Sequence, residues 1–350
     1  MLVIKGKSML DAYKKAIKEV VENGEKVSPR GSSTIEIAPA TIVIEDARKL
    51  LAAPKARKIN PCFGIAETLW FLRGSNSLEE ISHYNSVWNY FEDDDNKGIL
   101  NGAYGERLRN WKGVDQIEEI YTKLKKDPYS RQAMAVIFDP VRDNKIHSNG
   151  KYSKDIPCTS YFNFHIRDGK LNMHVVMRSN DLHKGFIYDA HNFMIIQNIL
   201  AGWLEVEVGK YTHTASSLHI YESDMENMLD VLNSVDEDVY DNMEEIPKIG
   251  LNKEEFDKTI ELINEIEKGS RELVNKKLKD YEFISELFKY INIARDIKSD
   301  YWKGIAGCLI TYNARKAKIK KHLWLSIVET YITKEYYDLF ANLSDLSIKK

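Results

Sequence analysis

YFNFHIRDGKLNMHVVMRSND, residues 161–181, places β-rich runs on both sides of Arg167-Asp168-Gly169-Lys170. An Asp-Gly centre between such runs is a strong hairpin signal, so the segment predicts two antiparallel strands joined by a tight turn. Just upstream, DIPCTSYF (155–162) puts Cys158 after a proline and at the start of the first strand. Hairpin strands pair locally, which lets Arg178 on the returning strand approach Cys158. A cysteine in such a position is commonly a buried packing residue. It becomes a nucleophile when a neighbouring cation lowers its thiol pKa and a substrate offers an electrophilic carbon.

Downstream, GFIYDAHNF (185–193) sets Asp189 inside a stretch that otherwise reads as buried and runs into FMIIQNIL. A lone carboxylate there is expensive unless something pairs with it. DAHNFMIIQNILAGWLEVEVG reads as one long buried helix, and SSLHIYESD as a strand. Residues 8–22 show helical spacing with Ser8 as N-cap, and TIEIAPATIVIED (34–46) reads as a strand interrupted near Pro39. CFGIAETLWFLRGSNSLEEISHY reads as a buried helix, a Gly-containing turn and a second, more polar helix; AMAVIFDP is β-rich. After about residue 240 the chain becomes densely charged with helical apolar spacing, and its last forty or so residues also read as helical. The expected organisation is an α+β catalytic domain over 1–240 and a C-terminal helical extension over 241–350.

The 350 residues carry a formal charge of -3, which argues against a duplex nucleic-acid binder but leaves a small anionic ligand open. Cys62, Cys158 and Cys308 are far apart and form no CxxC pair, which favours a reducing compartment. The N-terminus lacks the pattern of a signal peptide, and no apolar run approaches the roughly 20 residues of a membrane span. A cytoplasmic protein is expected. The histidines show no metal-binding spacing, so no metal is expected.

Two further segments suggest a phosphomonoester. SPRGSSTIEI (28–37) offers backbone N–H groups, hydroxyls and Arg30, and DPYSRQAM (127–134) offers Ser130 and Arg131. Either could equally be a surface turn. In AETLWFLRG (66–74), Glu67 lies among Leu69, Trp70, Phe71 and Leu72, which leave little polar face. A carboxyl so placed has a raised pKa and suits general acid–base work.

ETLWFLRG, VW at 87–88, GAYGERLRNW, DPYSRQ, PCT, MRSND, GF-x-x-D and SLHIY occur in the order found in the thymidylate synthase superfamily, which the chain resembles over roughly residues 10–225. STIEI, CT, IRDGK, MRSND, GF-x-x-D and SLHIY resemble its phage-type deoxycytidylate hydroxymethylase branch. The resemblance implies a thymidylate synthase-like fold, a mixed β-sheet packed with helices, with two subunits joined sheet to sheet. It implies that Cys158 adds to C6 of a pyrimidine nucleoside monophosphate and that 5,10-methylenetetrahydrofolate supplies the carbon. Glu67 and Tyr104 then move protons. Arg30, Arg178, Ser179 and, from a partner subunit, Arg131 hold the phosphate, with Asn180 also on the substrate. His219 and Tyr221 bond the sugar hydroxyl, and Trp88, Asp181 and Gly185 face the folate.

Asp189 stands where thymidylate synthases carry asparagine. A carboxyl group accepts from the cytosine N4 amino group and, when protonated, donates to N3, so cytosine is the expected base. Gln132 follows Arg131 where the family has paired arginines, which leaves dCMP and CMP both open. Thr159 replaces the histidine common after the nucleophile, as in the hydroxymethylase branch. The chain ends DLSIKK rather than in an apolar segment that closes over folate. Methyl and hydroxymethyl products both remain compatible with these residues.

Overall fold

The computed structural model describes residues 2–332. The chain opens with β1 (Leu2–Gly6) and α1 (Met9–Asn23), and the Ser8 hydroxyl accepts from Asp11 N to cap the helix as its sequence predicts. Then come β2 (Glu25–Val27), β3 (Thr34–Ile37), β4 (Ala40–Ile44), α2 (Pro61–Leu72), α3 (Leu78–Ser82), α4 (Tyr104–Arg109) and α5 (Gln116–Lys126). After β5 (Met134–Val136) and α6 (Pro140–Asp143), β6 (Thr159–Arg167) and β7 (Lys170–Met177) form the expected hairpin. Both turn residues have positive φ, Asp168 at 52° and Gly169 at 72°, the backbone that an Asp-Gly hairpin turn requires. The order continues β8 (Asn180–Asp181), α7 (Phe186–Leu204), β9 (Glu207–Ala215), β10 (Leu218–Tyr221), α8 (Met225–Asn233), α9 (Lys253–Asn275), α10 (Asp280–Asp296), α11 (Asp300–Lys316) and α12 (Lys321–Tyr331).

The strands make a mixed six-stranded sheet, β1-β4-β9-β7-β6-β5, and a smaller one, β2-β3-β10-β8. The architecture is thus mixed α and β, with helices added at the C-terminal side. Two local readings needed correction. The stretch around Pro39 is not one interrupted strand, because β3 pairs in the small sheet and β4 in the large one. The long helix stops at Leu204, where Glu205 turns left-handed (φ 56°), and the alternating Val206 and Val208 lead into β9. Periodicity could not separate the end of a buried helix from the start of a buried strand.

Nearly all of α7 is buried, with Phe193 packed on Phe162 of the large sheet (ring centroids 4.7 Å apart). Among the described residues the side chains on the other face of that sheet are mostly only partly buried, and Met134 and Val136 at its edge are 45% and 44% exposed. Between α8 and α9, residues 234–252 hold no helix or strand. Beyond them, buried apolar residues continue from the sheet through α9 and α11: Trp203 meets Phe256, and Phe256 meets Trp302. At this junction Glu267 is buried between Arg73 Nη1 (3.1 Å) and Arg271 Nε (2.8 Å), and its Oε1 also accepts from the Tyr84 hydroxyl. The helical reading beyond Ile332, and that of the closing DLSIKK, lie outside the described residues. Among the described residues no helix is long and apolar enough to cross a membrane.

Removing one partner of a buried ion cluster leaves the others uncompensated. Glu267→Ala is expected to lower stability by about 3 kcal/mol in urea unfolding. Lys258→Ala, which breaks an exposed pair with Glu254, should change it by less than about 1 kcal/mol. Equal effects would contradict this placement of Glu267.

Candidate active site

The β6–β7 pairing sets Thr159 opposite Met177, so the residues just outside the hairpin, Cys158 and Arg178, come together. Arg178 N donates to Cys158 O (2.8 Å), and its guanidinium is pinned by the carbonyls of Pro157 and Ile156 (2.9 Å each). From there Nη2 lies 3.4 Å from Cys158 Sγ. The thiol nevertheless stays above its ordinary pKa. Burial pushes it up, Arg178 and Arg30 pull it down, and Asp189 and Asp155 push it up again. The expected cation is in place, but desolvation outweighs it.

Asp189 lies in the first turn of α7. Its Oδ2 accepts from Asn180 Nδ2 at 2.8 Å, and Asn180 is itself buried in β8. Glycine at 185 permits this contact: a Cβ there would sit 2.9 Å from Asn180 Nδ2 and 3.3 Å from Asp189 Oδ2. Burial, reinforced by Asp181, holds the Asp189 carboxyl up at about 7 against the pull of Asn180. β8 pairs in parallel with β10, setting Asp181 opposite His219. His219 and Tyr221 meet edge to face, ring centroids 5.2 Å apart. Asp181 Oδ1 accepts from His183 N (2.7 Å), and burial raises its pKa too.

Glu67 projects from α2 and is only 6% exposed. Its Oε2 accepts from Asn192 Nδ2 (2.7 Å), and Asn192 Oδ1 meets Thr68 Oγ1 (2.8 Å) and His191 Nδ1 (3.0 Å). Burial first, and the Asp189 charge second, push Glu67 well above the ordinary carboxyl range. Tyr104 opens α4 with its ring between Phe71 and Phe193, and its hydroxyl accepts from Thr159 N (3.2 Å). Burial, with Cys158 and Asp189, drives that hydroxyl far above its ordinary pKa. Thiol, two carboxyls and phenol therefore form one electrostatic cluster.

Around it the placements are uneven. Trp88 is half-buried against Trp70 and Phe91. Arg30 sits in a left-handed turn (φ 54°) and is exposed, yet acts on the Cys158 thiol. Ser179, between Arg178 and Asn180, is half-buried. Arg131 is exposed just before β5, and among the described residues its side chain makes no hydrogen bond or ion pair; the cations that act on the Cys158 thiol are Arg178 and Arg30. Thr68 and Asn192 went unread in the sequence, although a buried asparagine inside an apolar helix is a signal in itself. Among the described residues no group of three or more His, Cys, Asp or Glu side chains could hold a metal ion.

The thymidylate synthase family model matches residues 11–287. A relative from Bacillus phage SP01, named deoxyuridylate hydroxymethyltransferase, is 37% identical over 236 residues. That match covers 64% of this chain and 60% of the relative.

Of the two arginines that pull the Cys158 thiol pKa down, Arg178 acts more strongly, so Arg178→Met is expected to raise it. Iodoacetamide alkylation of Cys158 at fixed neutral pH should then slow by about tenfold for each unit of rise. Cys62 and Cys308, fully buried, serve as internal controls. An unchanged rate would sink the electrostatic role of Arg178.

Proposed function

This chain belongs to the thymidylate synthase family, and from that premise we propose that it makes 5-hydroxymethyl cytidylate from dCMP or CMP, 5,10-methylenetetrahydrofolate and water. Cys158 Sγ adds to C6 of the ring, which makes C5 nucleophilic. The folate, when bound, supplies a carbon at the oxidation level of formaldehyde. Trp88, Asp181 and Gly185 border its side of the site; the half-buried indole offers an apolar face, and glycine leaves room beside Asp189. Glu67 and Tyr104 move the protons. C5 bonds to that folate carbon and gives up its own proton, the bond from the carbon to tetrahydrofolate breaks, water adds to the resulting exocyclic methylene, and departure of Cys158 from C6 restores the ring double bond. Arg30, Arg178 and Ser179 hold the phosphate, and His219 and Tyr221 the sugar.

The carrying observation is the Asp189 carboxyl, buried and held through Oδ2 by Asn180. When ionised it accepts from the cytosine N4 amino group but repels O4 of uracil. When neutral it can donate either to cytosine N3 or to uracil O4. At position 4 of the ring, cytosine is thus matched by both forms and uracil O4 by the neutral form alone. The name of the phage relative favours a second reading, hydroxymethylation of a uridylate. Methyl transfer to the same carbon is a third.

Two subunits pack through the partly buried face of the six-stranded sheet. Support comes from the exposed Met134 and Val136 on that face and from Arg131 beside them, free to complete a partner's phosphate site.

The test supplies dCMP, CMP and dUMP together with methylenetetrahydrofolate and weighs the products. A cytidylate gaining CH2O is expected, and Cys158→Ser should abolish it. Gain of CH2 would establish methylation, and modification of dUMP alone would overturn the cytosine assignment. Asp189→Asn should shift the preference towards the uracil nucleotide.

A further inference from the structure

Glu67 shares one buried polar cluster with three side chains that the reaction above leaves unused. Asn192 and Thr68 are 0% and 2% exposed, and His191 is 6% exposed. All sit inside the apolar α2–α7 contact, where an uncompensated amide is costly. Burial holds His191 down at about 4, so its ring is neutral. A neutral histidine can donate to Asn192 Oδ1 (3.0 Å) only through Nδ1–H. Thr68 Oγ1 donates to the same oxygen at 2.8 Å. With two donors converging on Oδ1, the amide is turned so that Nδ2 faces Glu67 Oε2 (2.7 Å). Among the described residues the hydrogen bond that Glu67 accepts falls on Oε2 and not on Oε1.

We propose that Asn192 is the positioning residue for Glu67: oriented by Thr68 and His191, it keeps Oε2 as an acceptor and so confines the exchangeable proton to Oε1. This rests on the reading of Glu67 as the group that moves protons on the pyrimidine. A protonated Oε2 would be a poor acceptor for Nδ2–H, so the acid form carries its proton on the other oxygen. The amide N–H also favours the ionised form and opposes burial and the Asp189 charge, which both favour the acid. The remaining ionisable groups around Glu67 are Tyr188, whose own hydroxyl is raised partly by Glu67, and the neutral His191. Neither supplies a positive charge, and among the described residues it is the Asn192 hydrogen bond that lowers the Glu67 pKa.

The sign of the test follows. Removing Nδ2–H destabilises the carboxylate, so the Glu67 pKa rises. Tritium release from 5-tritiated dCMP is measured against pH for the full chain and for Asn192→Ala, Thr68→Val and Thr68→Ser. In Asn192→Ala the limb that Glu67→Gln abolishes should move up by about one unit, a tenfold change in proton affinity. The nucleotide KM should change less than twofold, ~0.4 kcal/mol. Thr68→Val should move the limb in the same direction, and Thr68→Ser should restore it. A uniform loss of rate at every pH, with the limb unmoved, would reduce Asn192 to packing and overturn the proposal. A second readout needs no turnover: the infrared carbonyl band of protonated Glu67, identified by its absence in Glu67→Gln, should titrate higher in Asn192→Ala. If wild-type protein releases no tritium from any nucleotide, the enzymatic reading fails. The infrared titration then decides the Asn192 role alone, and an unshifted band would end it.

Discussion

The site depends on two carboxyl groups, Asp189 and Glu67, held inside the protein and close enough that the Asp189 charge raises the cost of ionising Glu67. Among the described residues neither is paired with a cation. Each receives one amide N–H, from Asn180 and Asn192 respectively. That choice matters chemically, because a guanidinium would lock a buried carboxylate in its charged form, whereas an amide compensates only part of the desolvation. The same chain follows the other rule where no chemistry is proposed. Asp143 is fully buried against Arg107 with bonds of 2.6 and 2.7 Å, and Glu267 lies between Arg73 and Arg271. Arginine-paired carboxylates fasten the fold, whereas burial lifts the asparagine-paired ones above the ordinary carboxyl range.

Everything else about the site brings further groups to those two. The β6–β7 hairpin sets Arg178 against Cys158 through backbone register, which is why the guanidinium can be pinned by carbonyls before any ligand arrives. The β8–β10 pairing lines up Asn180, Asp181, His219 and Tyr221 on one small sheet, next to the start of α7. Gly185 closes the gap by leaving out a side chain. The thiol remains protonated more readily than a free cysteine, because burial near Asp189 and Asp155 outweighs two arginines. A thiol of this kind is held protonated rather than permanently ionised.

Much of this was legible from residues alone, because it is local. The Asp-Gly turn, the Ser8 cap and the neighbourhood of Cys158 and Arg178 all follow from short-range pattern. Glu67 and Asp189 stood out as carboxyls in apolar surroundings. What stayed hidden depends on distant partners. Nothing near Pro39 says that β3 and β4 belong to different sheets, and nothing near Glu205 distinguishes a helix end from a continuing apolar run. Asn192 is meaningful only once α7 lies beside α2, 125 residues away in sequence at the Glu67 contact. The charged helices after residue 250 read as an extension, yet Phe256 and Trp302 are packed into the same core as Trp203.

The central claim is that Asp189, titrating near neutrality, selects the base. Its most direct test is the competitive preference for dCMP over dUMP, measured as a ratio of initial rates between about pH 6 and pH 8, which bracket the carboxyl's shifted pKa. Groups that titrate identically for both substrates cancel in that ratio. Ionisation removes the donor to uracil O4 and to cytosine N3 alike but keeps an acceptor for the N4 amino group, so dCMP should stay preferred across this range, and Asp189→Asn should turn the preference towards dUMP at every pH. A wild-type preference for dUMP, or an Asp189→Asn variant that keeps its preference for dCMP, would contradict the account.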